Sequence, residues 1–93
     1  MISFPIQYFS ASYTRSFLLD FGIEDGLPMD VWCPHFISTE QEAFLKKDKT
    51  RDMGILTSGW VDVVKAFKLK ADKTCVFDFV VENNIVCLDI TPL

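Results

Sequence analysis

The stretch ILTSGWVDVVKAFKLKADKTCVFDFVV, residues 55–81, decides the fold. Trp60, Val63, Val64 and Phe67 fall at i, i+3, i+4 and i+7, which gathers them on one apolar face of a helix. Ser58 precedes them, where a hydroxyl can accept a first-turn N–H. Asp62 near the start and Lys65 and Lys68 near the end complement the helix dipole. The helix is expected to stop by Leu69. Trp60, at an amphipathic position, reads as core packing rather than as a ligand platform. From residue 74 to 81 the period changes to two: Cys75, Phe77, Phe79 and Val81 share one face of a strand, and Val76, Asp78 and Val80 share the other.

Towards the C-terminus, Glu82, Asn83 and Asn84 supply residues that tolerate positive φ, so residues 85–90 return as a partner strand ended by Pro92. Towards the N-terminus, residues 55–57 read as a short strand, 47–54 as a charged loop, 43–47 as a strand and 35–41 as a polar loop. Residues 29–33 form a further strand closed by Pro34. On it Val31 and Trp32 alternate, so one of them faces outward unless both faces are covered. Glu24, Asp25 and Gly26, with Pro28, signal a turn. The first third supports two readings. In the preferred one, Pro5 opens a helix, Phe9, Tyr13, Phe17 and Phe21 form a stripe at intervals of four, and Gly22 stops it. In the other, a strand over 4–9, a polar loop over 10–15 and a strand over 16–19 follow one another.

With 93 residues the chain fits one domain, 1–93. Its 49% hydrophobic content and nine Phe supply a core and exclude disorder. No apolar run approaches the ~20 residues of a membrane span, and the first nine residues show no basic leader of a secretory signal. Cys33, Cys75 and Cys87 are odd in number and widely spaced, which reads as reduced thiols in a reducing compartment. The net charge of −4 opposes nonspecific nucleic-acid binding. Its distribution is uneven, however. Residues 1–45 carry Arg15 against six acids, whereas residues 46–73 carry eight basic residues against four acids. A chain can be acidic overall and still present a basic face; the alternative reading is that these lysines only solvate the surface.

Candidate chemistry is sparse. His35 is the single histidine; it lies two residues from Cys33, but no second Cys/His pair completes a zinc set. Cys33 as a nucleophile needs His35 as its base, and no further residue completes that arrangement. The carboxylates form no acid/base pair motif, and the four glycines are isolated rather than gathered in a phosphate loop. The sequence reads as a non-enzyme with no cofactor, no metal and no small-molecule substrate.

The order of short strand, Gly-Trp, amphipathic helix, Leu-Lys, Cys-Val-Phe strand and hairpin resembles the C-terminal half of the plant B3-type DNA-binding domain. That half reads approximately L-x-x-G-W-x-x-F-V-x-x-N-x-L-x-x-G-D-x-C-V-F-E-L. Leu56, Gly59, Trp60, Val64, Leu69, Cys75, Val76, Phe77 and Asp78 stand in register with it. The similarity covers residues 55–90 well and is weaker upstream, where Phe4-Pro5 with Tyr8 or Phe9 stands for the family's I-P-x-x-F segment and residues 29–34 for the strand that follows. It departs at Val63 (Phe in the family), Phe67 (Asn) and Asp72-Lys73 (Gly-Asp), which implies an altered turn and a changed helix end.

The resemblance implies a mainly β fold with two short helices, a seven-stranded open pseudo-barrel of the DNA-binding pseudobarrel type. It implies sequence-specific binding of double-stranded DNA in its major groove, in the nucleus, for transcription regulation. The family grips DNA with two arms. The C-terminal arm falls on the loop carrying Lys46, Lys47, Lys49 and Arg51, where Asp48 and Asp52 dilute the charge. In the strand reading the N-terminal arm falls on residues 10–15, with Arg15 as its one cation. In the helix reading the first strand and that arm would precede Phe4. The alternative implication is a degenerate domain of this type, a protein-interaction or self-association module (a homodimer in its simplest form) with weak or no DNA binding; the net acidity and positive mean hydropathy favour it.

Overall fold

In the computed structural model, which describes residues 1–23, 26–36 and 39–93, the chain is mainly β, with two α-helices and a curled, open half-barrel sheet of six strands. The elements are β1 (Gln7–Phe9), α1 (Ala11–Ser16), β2 (Leu27–Trp32), β3 (Gln41–Lys47), β4 (Gly54–Leu56), α2 (Trp60–Ala66), β5 (Cys75–Glu82) and β6 (Ile85–Pro92). Short 3-10 turns span Leu18–Phe21 and Pro34–Phe36. The strand order is β1-β4-β3-β2-β6-β5, antiparallel except where β2 runs parallel to β6. Of the expected turn and polar loop, residues 24–25 and 37–38 lie outside the described residues.

The segment 55–81 folds as its two periods require. Trp60, Val63, Val64 and Phe67 are buried together, and the Trp60 Nε1–H donates to the Ser3 carbonyl at 2.8 Å. The cap differs from expectation. Ser58 is exposed, and the residue at the N-cap is Gly59, with φ 83 and no side-chain cap bond. The backbone of Ser58 is used otherwise: its carbonyl accepts the Phe44 amide, extending the pairing with β3. A Cβ on Gly59 would stand 2.3 Å from the Glu42 carbonyl oxygen, so this turn needs glycine for both its φ and its closeness to β3.

The helix ends in a Schellman arrangement. Leu69 N–H donates to the Val64 carbonyl, Lys68 N–H to the Lys65 carbonyl, and Lys68 takes φ 53. Asp72, which stands where the resembled pattern has glycine, takes φ 67 in the left-handed region. Asn83 and Asn84, at φ 51 and 65, make the two-residue hairpin turn between β5 and β6.

The first third follows neither reading whole. Its strand is shorter than 4–9 and its helix covers only Ala11–Ser16, so residues 10–15 are not a loop and 16–19 not a strand. The helix cannot start at Pro5 because residues 7–9 pair with residues 54–56, a long-range partner that no local window reveals. Ser10 starts it instead, its side chain accepting the Tyr13 amide at 3.1 Å. Gly22, at φ 74, closes the following 3-10 turn. The aromatic stripe survives the change, with ring centroids 5.1–6.0 Å apart along Phe9, Tyr13, Phe17 and Phe21.

That stripe has a structural task. β1 and β5 are the two edges of the half-barrel. Phe9 on β1 meets Phe77 and Phe79 on β5 at 5.6 Å, and Tyr13, Phe17 and Phe21 all contact Phe79. Aromatic pairs of this kind contribute about 0.5–1.5 kcal/mol each beyond their burial. The row bridges the open seam where no backbone ladder joins the edges. At one end of the same seam Ile2 exchanges two backbone bonds with residues 72 and 73.

A candidate nucleic-acid interface at the basic hairpin

Strand alternation sorts the sheet into two faces. Gln7, Phe9, Val31, Ala43, Leu45, Leu56, Leu88 and Ile90 point into the core. The outer row follows from the register: Tyr8 opposes Ile55, which opposes Lys46, and Phe44 opposes Pro28. The loop between β3 and β4, residues 48–53, extends from this outer region and is closed by the Asp48 N–H donating to the Met53 carbonyl at 2.7 Å.

Four of the expected site residues converge here. Lys46, Lys47, Lys49 and Arg51 line one groove of ≈ 520 Å³ whose floor includes Tyr8, Phe44 and Ile55. They are not equivalent. Lys47 Nζ pairs with Asp52 at 3.0 Å. Arg51 donates from Nε to Asp48 Oδ2 at 3.0 Å, its Nη2 forms an ion pair with the same oxygen at 3.0 Å, and its guanidinium lies 4.9 Å from the centre of the Tyr8 ring. Among the described residues Lys46 and Lys49 have no carboxylate partner.

Asp48 does more than dilute charge. Its Oδ1 accepts the Thr50 amide at 3.0 Å and the Thr50 hydroxyl at 2.9 Å, while Oδ2 holds Arg51. These bonds, Thr50's first, hold the carboxyl below its usual pKa. The loop is thus ordered around one carboxylate, and Arg51 is fixed between that carboxylate and an aromatic face. A guanidinium held in this way still has N–H donors free on its far side for a phosphate or a base edge.

Arg15 is placed elsewhere. It is exposed on α1 and does not line the groove. Its helix is nonetheless tied to the hairpin: the buried Thr14 hydroxyl donates to the Ser10 carbonyl and accepts the Gly54 amide, both at 2.8 Å. Neither Tyr8 nor Phe44 is among the site residues expected from the sequence. Their signal was alternation: Tyr8 sits between buried Gln7 and Phe9, and Phe44 between buried Ala43 and Leu45.

The remainder of the outer face has the opposite sign. Asp30, Asp78, Glu82 and Asp89 surround Trp32, Val80 and Ile85 on β2, β6 and β5. Trp32 is the outward member of its pair, 43% exposed against 2% for Val31. Trp60, by contrast, is fully buried and belongs to the core. Cys33 is buried and Cys75 and Cys87 half-buried; all three are free thiols. Burial raises the pKa of Cys75 and Cys87, away from nucleophilic use. Compared with protein-family models and with curated proteins, the sequence matches none.

Proposed function

We propose that this chain is a sequence-specific double-stranded DNA-binding domain of the plant B3 type, acting in transcription regulation in the nucleus. One observation carries the proposal: the basic β3–β4 hairpin presents Lys46, Lys47, Lys49 and Arg51 in one groove directly before the Leu56, Gly59, Trp60 motif. The hairpin would enter the major groove, its lysines on phosphates and Arg51 on a base edge. The family's seven-stranded open pseudo-barrel is part of the same proposal. Two features support it: the Ile2 exchange with residues 72 and 73, which lies beside the start of β5 as a further strand would, and the φ of 67 at Asp72, where the family pattern has glycine.

The test is calorimetric titration with randomised duplexes at low salt. Binding should weaken with salt with a log–log slope of about 0.9 per neutralised phosphate. Replacing Lys47, Lys49 and Arg51 together by Ala should lower affinity while leaving the unfolding transition in place. No interaction with any duplex at low salt refutes the proposal. A second reading, a protein-interaction or self-association module, is favoured by the acidic and apolar surface around Trp32.

A further inference from the structure

We propose that the outer face of β2, β6 and β5 docks the basic β3–β4 hairpin of a second copy of this chain, giving head-to-tail self-association. The inference gives a geometry and an occupant to the second reading above and does not depend on DNA binding.

Three observations carry it. The first is a like-charge arrangement that folding alone does not explain. Asp78 and Asp89 are directly opposed on neighbouring strands β5 and β6, and Glu82 follows Asp78 on the same face. Directly opposed like charges destabilise a sheet. None of Asp30, Asp78, Glu82 and Asp89 has a cationic partner among the described residues. Burial, then Asp78 and Glu82, push the Asp89 carboxyl above its usual range, as expected where a countercharge is missing.

The second observation is apolar surface within the acids. Trp32 is 43% exposed and Ile85 53%, and with Val80 and Cys87 they line a groove of ≈ 360 Å³ rimmed by Asp30, Glu82 and Asp89. An aromatic anchor inside a charged rim is the usual composition of a binding centre.

The third observation identifies the occupant. The complementary surface is on the same molecule: a closed loop carrying Lys49 and Arg51, adjoining Lys46 and Lys47 at the end of β3, with the aliphatic stems of these lysines available to cover Trp32. A single copy cannot join the two. β3 and β4 are fixed in the same sheet as β2, β6 and β5, and both surfaces face outward. Hairpin of one copy on the face of the next, repeated in one direction, is a heterologous contact, which produces rings or open chains.

Sedimentation velocity on the unaltered chain at low salt should show mass rising with concentration, and the rise should fade with added salt. The variant D78N/D89N relieves the like-charge contact, so it should fold at least as stably as the parent. It should nevertheless associate about tenfold more weakly or less. The variant K47A/K49A/R51A should lose association from the other side. Mixing the two variants provides the deciding measurement. D78N/D89N retains an intact hairpin and K47A/K49A/R51A an intact acidic face, so the mixture should form a dimer that stops at two copies. A concentration-independent monomer of the parent at low salt overturns the proposal, as does a mixture that stays monomeric. Undiminished association of D78N/D89N overturns it too. Sedimentation contains no DNA, so these outcomes are separable from those of the duplex titration.

Discussion

Asp48 and Arg51 are joined at a single carboxylate oxygen by a hydrogen bond from Nε and an ion-pair contact from Nη2, both at 3.0 Å, and the Tyr8 ring backs the same guanidinium at 4.9 Å. An isolated exposed ion pair contributes only about 0–1 kcal/mol. This pair differs because Thr50 holds the other carboxylate oxygen and the ring limits where the guanidinium can lie. Its consequence is orientation of Arg51 more than stability. If the hairpin reads DNA, Asp48→Asn removes a negative charge and should raise binding to scrambled duplex. It should also lower the ratio of preferred to scrambled affinity, because Arg51 is no longer aimed. Competition titrations against both duplexes measure the ratio. A ratio unchanged by Asp48→Asn would mean that the carboxylate only dilutes charge.

The same carboxylate makes the loop acid-sensitive. Its folded pKa lies below the usual value, chiefly through Thr50, so its contribution is present above the ordinary carboxylate range and is lost as pH falls through the lowered value. The protection of the Thr50 amide, its exchange relative to the intrinsic rate at the same pH, should therefore fall on acidification before the global transition, and Asp48→Asn should show that lower protection already at neutral pH. Exchange that follows global unfolding at every pH would show that the loop has no independent opening.

Lys68 and Asp72 occupy left-handed backbone at φ 53 and 67 without being glycine. For an L-residue this conformation costs roughly 1–2 kcal/mol, somewhat less for Asp. Lys68→Gly should therefore stabilise the domain by up to about 1 kcal/mol after the extra chain entropy of glycine is deducted. For a domain of this size that corresponds to a rise in melting temperature of about 4–8 °C. Asp72→Gly should move the same way by less. The direction is the useful part, since glycine inside a helix ordinarily destabilises whereas at this left-handed position it is the favoured residue. Calorimetric melting of both variants decides it, and a fall in melting temperature for Lys68→Gly would contradict the strain argument.

The legibility of this sequence follows the range of its contacts. Trp60 to Leu69 and Cys75 to Ile90 were readable because helix periodicity, strand alternation and a two-residue turn are local patterns. Even there the cap was misassigned: Ser58 has the right chemistry, but β3 requires its carbonyl and leaves Gly59 at the boundary. The first third was obscure because Gln7–Phe9 is specified by pairing with Gly54–Leu56. The four-residue aromatic period was real, but it measured a seam against Phe77 and Phe79 rather than one long helix. In the candidate site the cations were visible as a run of charge. Their inequality was not, because it depends on Asp48, Asp52 and Tyr8, whose geometry exists only once the hairpin closes.

Thr14 tests whether that closure is supported from outside the loop. The side chain is fully buried, donates to the Ser10 carbonyl and accepts the Gly54 amide at the foot of the hairpin. Thr14→Val preserves the shape and removes both bonds. A buried donor left without a partner costs about 1–3 kcal/mol. Thr14→Ser keeps the hydroxyl and loses one methyl group, a transfer cost nearer 0.8 kcal/mol. Urea unfolding should therefore rank the parent above Thr14→Ser and Thr14→Val lowest. The Val variant should also show faster amide exchange at Gly54 and through residues 48–53, because the bond it loses joins α1 to the start of β4. If Thr14→Ser is the less stable of the two, packing rather than the Gly54 bond fixes α1 against the sheet. In that case Arg15 and the basic hairpin are positioned independently of each other.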